Sequence, residues 1–598
     1  MVRYLIGIDF GHGETTASYI DLQETQPTSH SLNILDGNSE DSKKVESCVC
    51  RDKQSSVWRF ARDFMDYSSP DFNIGFKAPM NEITPENKEA FQAFIYLVFE
   101  HILKNQNFLR YDPETGERNF SLYMACPSGW NKDDKTQIHQ YLEFFKEIIP
   151  AEWVIKESDA AYYKFKDKKA FQSKSVLVID IGSSTIDFTS YNEKGRNLTE
   201  GYKHGASRVE RDIFKYFEQT NEVSCAAIQE LKDAIQQDEY KNIRWKNAII
   251  HYIKELKEEF YTKEFVYLSL DIKNSRILPG LKKRLFDDIA IDKSLLEETI
   301  LLSYIDALRN DFTTISAQVQ PEIVVLTGGA SRMPWLQMLV KDVFAQAKVL
   351  KDNNPSYVVS DGIVAYAFAN YLRDKKLREA LEVFWNEYTD KKLSDLIFNE
   401  FNDSLRTIQL PLIKNICDRF DEGEIKDGAG MRSTQAIIPV MEAHNNSILG
   451  NNYNRIAADV DEGLNKRLSN VLGAKIAAIF ADCYGGHQVN VSIQSNVSID
   501  LQGQAINNSW DENKIGEITR DVYADDYFGV RWAEGNIAKD RTTKEERQIF
   551  TMQFYKEQEN VSVILPDEEL QDGIQVLKQS LTASLQSVCD LAPFEIYQ

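Results

Sequence analysis

The chain has few of the features that mark several large protein classes. It contains 15 prolines and 28 glycines in 598 residues, too few for collagen-like or long low-complexity segments. It also lacks any run of 18 uncharged apolar residues, and the nearest candidate, 471–481, is short and contains Lys475. That segment is better interpreted as a core helix, so no transmembrane segment is predicted.

Cysteine is scarce as well. The seven cysteines are odd in number and scattered, a pattern that argues against a disulfide framework and favours a reducing compartment. Cys48 and Cys50 are not followed by a second cysteine or histidine pair at zinc spacing, so no metal site is expected there. The first apolar run is too short for a signal peptide and reaches an acid at Asp9. These features predict a soluble, cytoplasmic protein.

The third deficit is in positive charge. The 69 lysines and arginines stand against 92 aspartates and glutamates, which gives a formal net charge of −23. A field of this sign repels nucleic acid and anionic membranes, so no nucleic-acid partner is predicted. An anionic ligand such as a nucleotide would need local neutralisation by backbone N–H groups, lysines or a metal ion.

What the chain does contain is an internal repeat. The segment "YLIGIDFGHGETTASYI", which begins at Tyr4, and the segment "VLVIDIGSSTIDFTSYN", which begins at Val176, share one order of features. Each has an apolar strand, an aspartate (Asp9 or Asp180), a glycine bend, a threonine and a second strand. Two copies so far apart predict two similarly folded lobes and not a short-period solenoid.

Turns of this composition are suited to binding phosphate and a metal ion. An aspartate at a strand end places a carboxylate at the mouth of a sheet, and the glycine lets the backbone approach a ligand closely. Exposed N–H groups and nearby hydroxyls can cradle phosphate, while the acids hold Mg²⁺ mainly through its waters. A third turn, "LTGGASRMP" (326–334), leaves room for a nucleoside. Each segment alone is also typical of an ordinary hairpin or turn, but the three together favour a nucleotide cleft, and no P-loop motif is present.

The three segments resemble the phosphate 1, phosphate 2 and adenosine motifs of the actin, hexokinase and heat-shock ATPase superfamily. The closest resemblance is to the seventy-kilodalton, DnaK-type heat-shock chaperones. It covers about residues 3–374 and includes "ACPSGW" (125–130), "IKESDAAYYKF" (155–165) and "SDGIVAYAFA" (360–369).

The resemblance implies an α/β fold with a two-lobe, actin-like ATPase domain at 1–374. Its duplicated ribonuclease H-like lobes would be 1–174 and 175–374. Residues 375–598 are predicted to form a mainly α-helical C-terminal region with a few strands, because the patterns there are mostly helical and charged.

The resemblance also implies ATP or ADP and Mg²⁺ as ligands, with specific residue roles. The catalytic set is Asp9, Lys77, Glu157, Asp180 and Thr185, and Asp9 and Asp180 would lie near the metal, mostly through water. The nucleotide-binding set is Gly11, Thr15, Thr16, Gly182, Ser183, Ser184, Asp187, Lys254, Lys257, Gly328, Gly329, Arg332 and Asp361.

Each assignment has a structural alternative. Lys77, Lys257 and Arg332 are also typical of solvated surface residues. Glu157 is also typical of a charge at a helix N-terminus. His12, inside the first turn, either touches phosphate or faces solvent.

The chain departs from the family pattern in three places. His12-Gly13-Glu14 stands between Gly11 and Thr15, which predicts a longer first loop and adds the Glu14 charge where phosphate is expected; whether hydrolysis occurs stays open. Lys254 stands where the adenine-facing helix of the family has glutamate. Beyond residue 375 a helical pattern replaces the linker and β-sandwich of the chaperones, so peptide binding by that module is not carried over.

The resulting expectation is an Mg-dependent ATPase that acts as a chaperone-like nucleotide switch and hydrolyses ATP mainly by positioning and charge neutralisation. Its C-terminal region would engage a protein client or partner. The alternatives are an actin-like filament or scaffold protein, a pseudo-ATPase that only binds nucleotide and, less consistent with the motif order, a small-molecule kinase. The sequence predicts neither the partner nor the oligomeric state.

Overall fold

The structure is a computed structural model that divides into two compact units, Met1–Tyr371 and Leu372–Gln598. The residues it describes are 2–51, 55–60, 73–77, 79–128, 134–166, 168–192, 195–220, 222–236, 250, 253–254, 257–258, 260–261, 291–425, 458–459, 461–483, 544–559, 568, 570–580 and 582–583. Two segments whose sequence patterns predict strands, 264–272 and 487–502, lie outside these residues. The described elements combine sheets with many helices, which confirms the predicted α/β class.

The first unit contains a six-stranded sheet with the spatial order β3-β2-β1-β8-β9, and β4 also pairs with β2. Its strands are β1 (Tyr4–Phe10), β2 (Glu14–Asp21), β3 (His30–Ser31), β4 (Lys44–Glu46), β8 (Phe120–Cys126) and β9 (Ala151–Lys156). The first three form an antiparallel meander, and β1, β8 and β9 run parallel. The parallel strands are joined through helices, as parallel connections require.

A second sheet repeats this plan. Its order is β12-β11-β10-β13-β14, with β10 (Val176–Ile181), β11 (Ile186–Asn192), β12 (Gly195–Tyr202), β13 (Ile323–Thr327) and β14 (Lys348–Lys351). Again a three-stranded antiparallel meander comes first, and two strands then extend the sheet in parallel from the first strand of the meander. The two halves of the predicted repeat therefore begin sheets of the same strand order and direction.

A small third sheet in the first unit has the order β6-β5-β7. It contains β5 (Cys48–Arg51), β6 (Trp58–Phe60) and β7 (Asn73–Ile74). β5 follows closely after β4, and β7 leads directly to Phe76 and Lys77.

The described helices of the first unit include α1 (Pro85–Asn105), α2 (Asp134–Lys146), α3 (Glu157–Tyr163), α4 (Ser207–Gln219), α5 (Glu222–Gln236), α6 (Leu302–Ser316), α7 (Pro334–Val343) and the beginning of α8 (Val358–Glu387). Helix α1 begins at a good cap, because the Thr84 side chain accepts from the Asn87 N–H and Pro85 occupies the first helical position. Helices α3 and α8 follow β9 and β14 and cross closely. A Cβ on Gly362 would lie 1.8 Å from the Ala160 carbonyl oxygen, so only glycine permits this crossing.

The central strands are buried on both faces. In β10, Leu177 and Ile179 pack into a core built with α4, α6 and α7, while Val176 and Val178 face a second core that contains Ala161. A strand buried on both sides reads as a continuous apolar run, which is the pattern of "VLVI" before Asp180. The strand is thus fixed in place up to the residue where its polar turn begins.

All elements in the described part of the second unit are helical. They include α9 (Asp390–Asp421), α10 (Ala474–Cys483) and α11 (Lys544–Glu559). Helices α9 and α11 pack through the rings of Phe420 and Phe550, and the Thr551 hydroxyl donates to Asp421 at 2.7 Å. Among the described helices of the chain, none has the length and apolarity needed to cross a bilayer.

Candidate functional site

The two hairpin turns have equal length. Phe10 pairs with Thr15 across the first hairpin, and Ile181 pairs with Ile186 across the second, so each turn contains four residues. His12-Gly13-Glu14 therefore does not make the first turn longer than the second turn of this chain. That these residues make the first turn longer than the family's first loop stays a prediction. These residues form the turn itself, at the positions that Ser183-Ser184-Thr185 occupy in its counterpart.

The same register corrects the predicted positions of Thr15 and Thr16. Both lie in β2 and are almost fully buried, not in the turn. The Thr15 hydroxyl lies 3.2 Å from that of Ser47, and the Thr16 hydroxyl donates to the Ser356 carbonyl at 3.1 Å. Their hydroxyls are used inside the fold, so the first turn offers a ligand its backbone and the side chains of His12 and Glu14.

The two turns lie against each other. A Cβ on Gly13 would be 3.2 Å from the Ser183 Cβ, and the Lys254 ammonium donates to the Gly13 carbonyl at 3.0 Å. The second turn is supported from behind, where the Ser207 N–H donates to the Ser183 carbonyl at 2.8 Å and the Gly205 N–H to the Ser184 carbonyl at 3.1 Å.

The Gly-Gly turn joins them. Gly328 has φ +81°, and a Cβ there would lie 2.4 Å from the Ile181 carbonyl oxygen and 2.6 Å from Asp180 Oδ1. A Cβ on Gly329 would lie 3.8 Å from Glu14 Oε1. The three segments identified in the sequence, 326–334 included, thus meet in the folded chain.

A buried lysine lies beside the two aspartates. The Lys77 ammonium donates to the Phe10 carbonyl at 2.5 Å and to Glu157 Oε1 at 2.6 Å. Lys77 is only 4% exposed, so the surface alternative for this residue is wrong. Glu157, the first residue of α3, contacts this lysine and is more than a charge at a helix end.

Acids outnumber cations in this cluster. Burial and the neighbouring Glu157 raise the pKa of Asp9 well above its usual value, and the same causes raise the pKa of Asp180 to about 7. Burial likewise raises the pKa of Asp187, whose Oδ2 accepts from the Thr185 hydroxyl at 3.0 Å. Lys77 lowers the pKa of all three acids, but one ammonium does not offset four neighbouring carboxyl groups.

The acids also have unused oxygens. Oδ1 of Asp9, of Asp180 and of Asp187 is buried without a hydrogen-bond partner in the described part of the chain. Buried polar groups of this kind are costly unless a ligand satisfies them. The arrangement fits a cation held by Asp9 and Asp180.

The described residues contain no group of three or more His, Cys, Asp or Glu side chains placed to hold a metal directly. A site with few protein ligands suits Mg²⁺, which keeps several of its waters.

His12 packs inward. A Cβ on Gly75 would lie 2.8 Å from His12 Nε2, and His12 Nδ1 is buried without a partner in the described structure. Burial and the charge of Lys77 lower the pKa of His12 to about 4. The ring is therefore neutral at pH 7, and the residue is half-buried in the first turn, with its Nε2 close to Gly75.

Of the remaining predicted residues, Arg332 lies close to the three turns, whereas Lys257 and Asp361 pair with residues outside the predicted site. Arg332 donates to the Ser356 hydroxyl at 2.9 Å, close to the Gly-Gly turn. Lys257 instead pairs with buried Glu210 at 2.5 Å. Asp361 accepts from the Ser18 hydroxyl at 2.8 Å and pairs with Lys164 at 3.0 Å, so its partners lie outside the predicted site residues.

Sequence reasoning missed Lys44, Glu46 and Ser356. Lys44 and Glu46 reach the first turn because β4 pairs with β2, which sets Glu46 opposite Glu14. No local pattern around residue 44 announces this pairing, since the two segments are 30 residues apart. Ser356 precedes α8, and only the folded chain brings it next to Arg332 and Glu14.

Comparison with protein families finds no family model that matches the chain, and comparison with curated proteins finds no match.

Proposed function

We propose that the first unit binds Mg-ATP between the two hairpin turns and hydrolyses it, as a chaperone-like nucleotide switch of the actin, hexokinase and heat-shock ATPase type. The second unit would engage a protein partner. The observation that carries the proposal is the meeting of two equivalent Asp-x-Gly turns, each at the mouth of a sheet of the same topology, with buried acids that lack partners.

The repeated sheet order supports a two-lobe, actin-like arrangement with ribonuclease H-like lobes. Each lobe would contribute one turn whose backbone N–H groups face phosphate oxygens. The first turn runs from Gly11 to Glu14 and the second from Gly182 to Thr185. Gly328 and Gly329 would admit the nucleoside, because neither carries a side chain that would block close approach.

The charged residues then have distinct roles. Asp9 and Asp180 would hold Mg²⁺ through its waters, and the bound metal would neutralise phosphate charge. Lys77 would supply a second positive charge, held in position by Glu157. A carboxylate of this cluster would orient the attacking water, and the exclusion of bulk water strengthens each of these interactions.

The first test is calorimetry of the full chain with Mg-ATP, followed by measurement of phosphate release. The wild type should bind one Mg-ATP. Asp180→Asn should weaken binding by tenfold or more and abolish phosphate release, because it removes an acid from the metal position. Asp342→Asn, at an exposed position of α7, is the matched control and should behave as wild type.

The alternatives give different results. Absence of binding by the wild type would overturn the proposal. Binding without phosphate release would leave a switch without enzymatic turnover. Growth of light scattering on addition of ATP would favour a filament-forming protein instead.

A further inference from the structure

The carboxylate of Glu14 lies within a cluster of cations. Its Oε2 is 3.5 Å from the Lys44 ammonium. A hydrogen bond from Ser356 and the charges of Lys44, Lys254 and Arg332 lower the pKa of Glu14, although burial opposes them. Glu14 is thus an ionised turn residue that faces three positive groups.

These groups come from separate parts of the fold. Lys44 belongs to β4 and Arg332 follows the Gly-Gly turn. Arg332 holds the Ser356 hydroxyl at 2.9 Å. Lys254 also contacts both the Gly13 carbonyl, at 3.0 Å, and Glu46, at 3.3 Å. The Glu14 carboxylate therefore brings the first turn into electrostatic contact with the three separate segments that carry Lys44, Lys254 and Arg332.

The donors around Glu14 are those that bind phosphate. Two ammonium groups, one guanidinium and one hydroxyl are the usual partners of a phosphate oxygen, and a carboxylate competes for the same geometry. The three cations face the carboxylates of Glu14 and Glu46, and Glu258 also acts on Lys254. Without the Glu14 charge, three cations would stand against two carboxylates, and the cluster would carry one net positive charge.

The Glu14 side chain has room to leave. Its side chain is 28% exposed and that of Lys44 is 33% exposed. Rotation about side-chain torsions is enough to move the carboxylate toward solvent and does not require the turn to refold.

We propose that Lys44, Lys254, Arg332 and Ser356 form an anion subsite that Glu14 occupies from within the chain, and that a polyphosphate ligand enters it by displacing the Glu14 carboxylate. The proposal rests on the proposed nucleotide-binding function and adds a residue that sets affinity. Glu14 keeps binding weak and exchange fast, because each binding event must remove it from its partners.

The test uses the full chain and two probes, inorganic tripolyphosphate and ATP, each with Mg²⁺. Glu14→Gln keeps the size of the side chain and removes its charge. Removal of one negative charge several ångströms from the ligand should tighten binding of both probes about tenfold. Glu143→Gln makes the same change in net charge on exposed α2 and should leave both affinities unchanged.

A second variant tests the subsite itself. Lys44→Gln should weaken tripolyphosphate binding, and the loss should be larger in the Glu14→Gln background, where Glu14 no longer neutralises Lys44. A coupling of this sign is not expected from a general effect on folding. Thermal unfolding of each variant establishes that it is folded.

Unchanged or weaker binding of tripolyphosphate by Glu14→Gln would overturn the subsite. A different result is that Glu14→Gln binds ATP more weakly than the wild type but binds a 2′,3′-dideoxy analogue of ATP as tightly as the wild type does. That result would make Glu14 an acceptor for the ribose hydroxyls. If wild type binds Mg-ATP but Glu14→Gln does not tighten it, only the subsite fails. If neither protein binds either probe, the proposed function fails with it.

Discussion

Single residues decide whether this site can hold an anion. Asp9 and Asp180 end their strands inside the protein, where burial makes ionisation costly. Lys77 offsets part of that cost, and Glu157 holds Lys77 in place. The cluster of Asp9, Asp180, Asp187 and Glu157 contains one lysine and repels a free phosphate, so a phosphate that binds beside these acids should require a divalent cation.

His12 makes a prediction about pH at this scale. Its pKa is about 4 in the folded chain and about 6.5 when unfolded. Between these values the unfolded state binds the proton more readily, so wild-type stability falls as pH decreases from about 6.5 to 4. Over that window, wild type should lose on the order of 2–3 kcal/mol relative to His12→Gln.

Urea unfolding at several pH values measures this difference. His139→Gln, at an exposed position of α2, provides the control and should follow the wild type at each pH. Stability curves of wild type and His12→Gln that run parallel from pH 7 to 4 would show that the ring is not held neutral.

At the scale of elements, the two hairpins explain what the sequence could predict. Each places its apolar strand, aspartate and glycine within one short segment, so Asp9 and Asp180 were recognisable without a structure. The strand register of the first hairpin was harder to predict from the sequence. Counting residues suggested a first loop longer than the family's, and it did not show that the first and second turns of this chain match. Strand pairing places Thr15 opposite Phe10 and leaves four turn residues in each hairpin.

Contacts between distant elements were not predictable in this way. Lys44 meets Glu14 because β4 joins the edge of β2, and Ser356 arrives with the segment before α8. Neither position carries a distinctive local motif. The charge environment of Glu14 is a property of the folded chain, which is why the sequence alone identified only an unfavourable charge in a phosphate loop.

The Gly-Gly turn offers a paired test of backbone geometry. Gly328 has φ +81°, and an added Cβ would meet Ile181 O at 2.4 Å. Gly328→Ala should therefore destabilise the first unit by about 2–3 kcal/mol. Gly329→Ala meets nothing nearer than Glu14 Oε1 at 3.8 Å, an ordinary contact, and should change stability by less than about 1 kcal/mol.

Denaturant unfolding of both variants distinguishes the two positions. If Gly328→Ala and Gly329→Ala lowered the free energy of unfolding equally, the backbone conformation of Gly328 would not be the cause of the loss. A neutral Gly328→Ala would show that the turn relaxes away from Asp180.

At the scale of the whole molecule, the chain combines two units of different construction. The first contains the sheets and all described residues of the candidate site, and the second is helical throughout its described residues. Helix α8 begins in the first unit and ends beyond residue 371.

Thermal unfolding should show which of the two units is stabilised by ligand binding. A chain of two compact units is expected to unfold in more than one calorimetric transition. A ligand stabilises the state that binds it by RT ln(1 + [L]/Kd), which is about 2.7 kcal/mol at a hundredfold excess over Kd. Mg-ATP should therefore raise the transition that involves the first unit.

Tryptic fragments recovered during heating assign each transition to its unit. Mg-ATP should delay cleavage within 1–371 without an equal effect on 372–598, and Asp180→Asn should remove the delay. Protection of 372–598 alone would place the ligand in the helical unit and contradict the assignment of the site to the three turns. Equal protection of both units, lost in Asp180→Asn, would instead mean that ligand binding also stabilises 372–598.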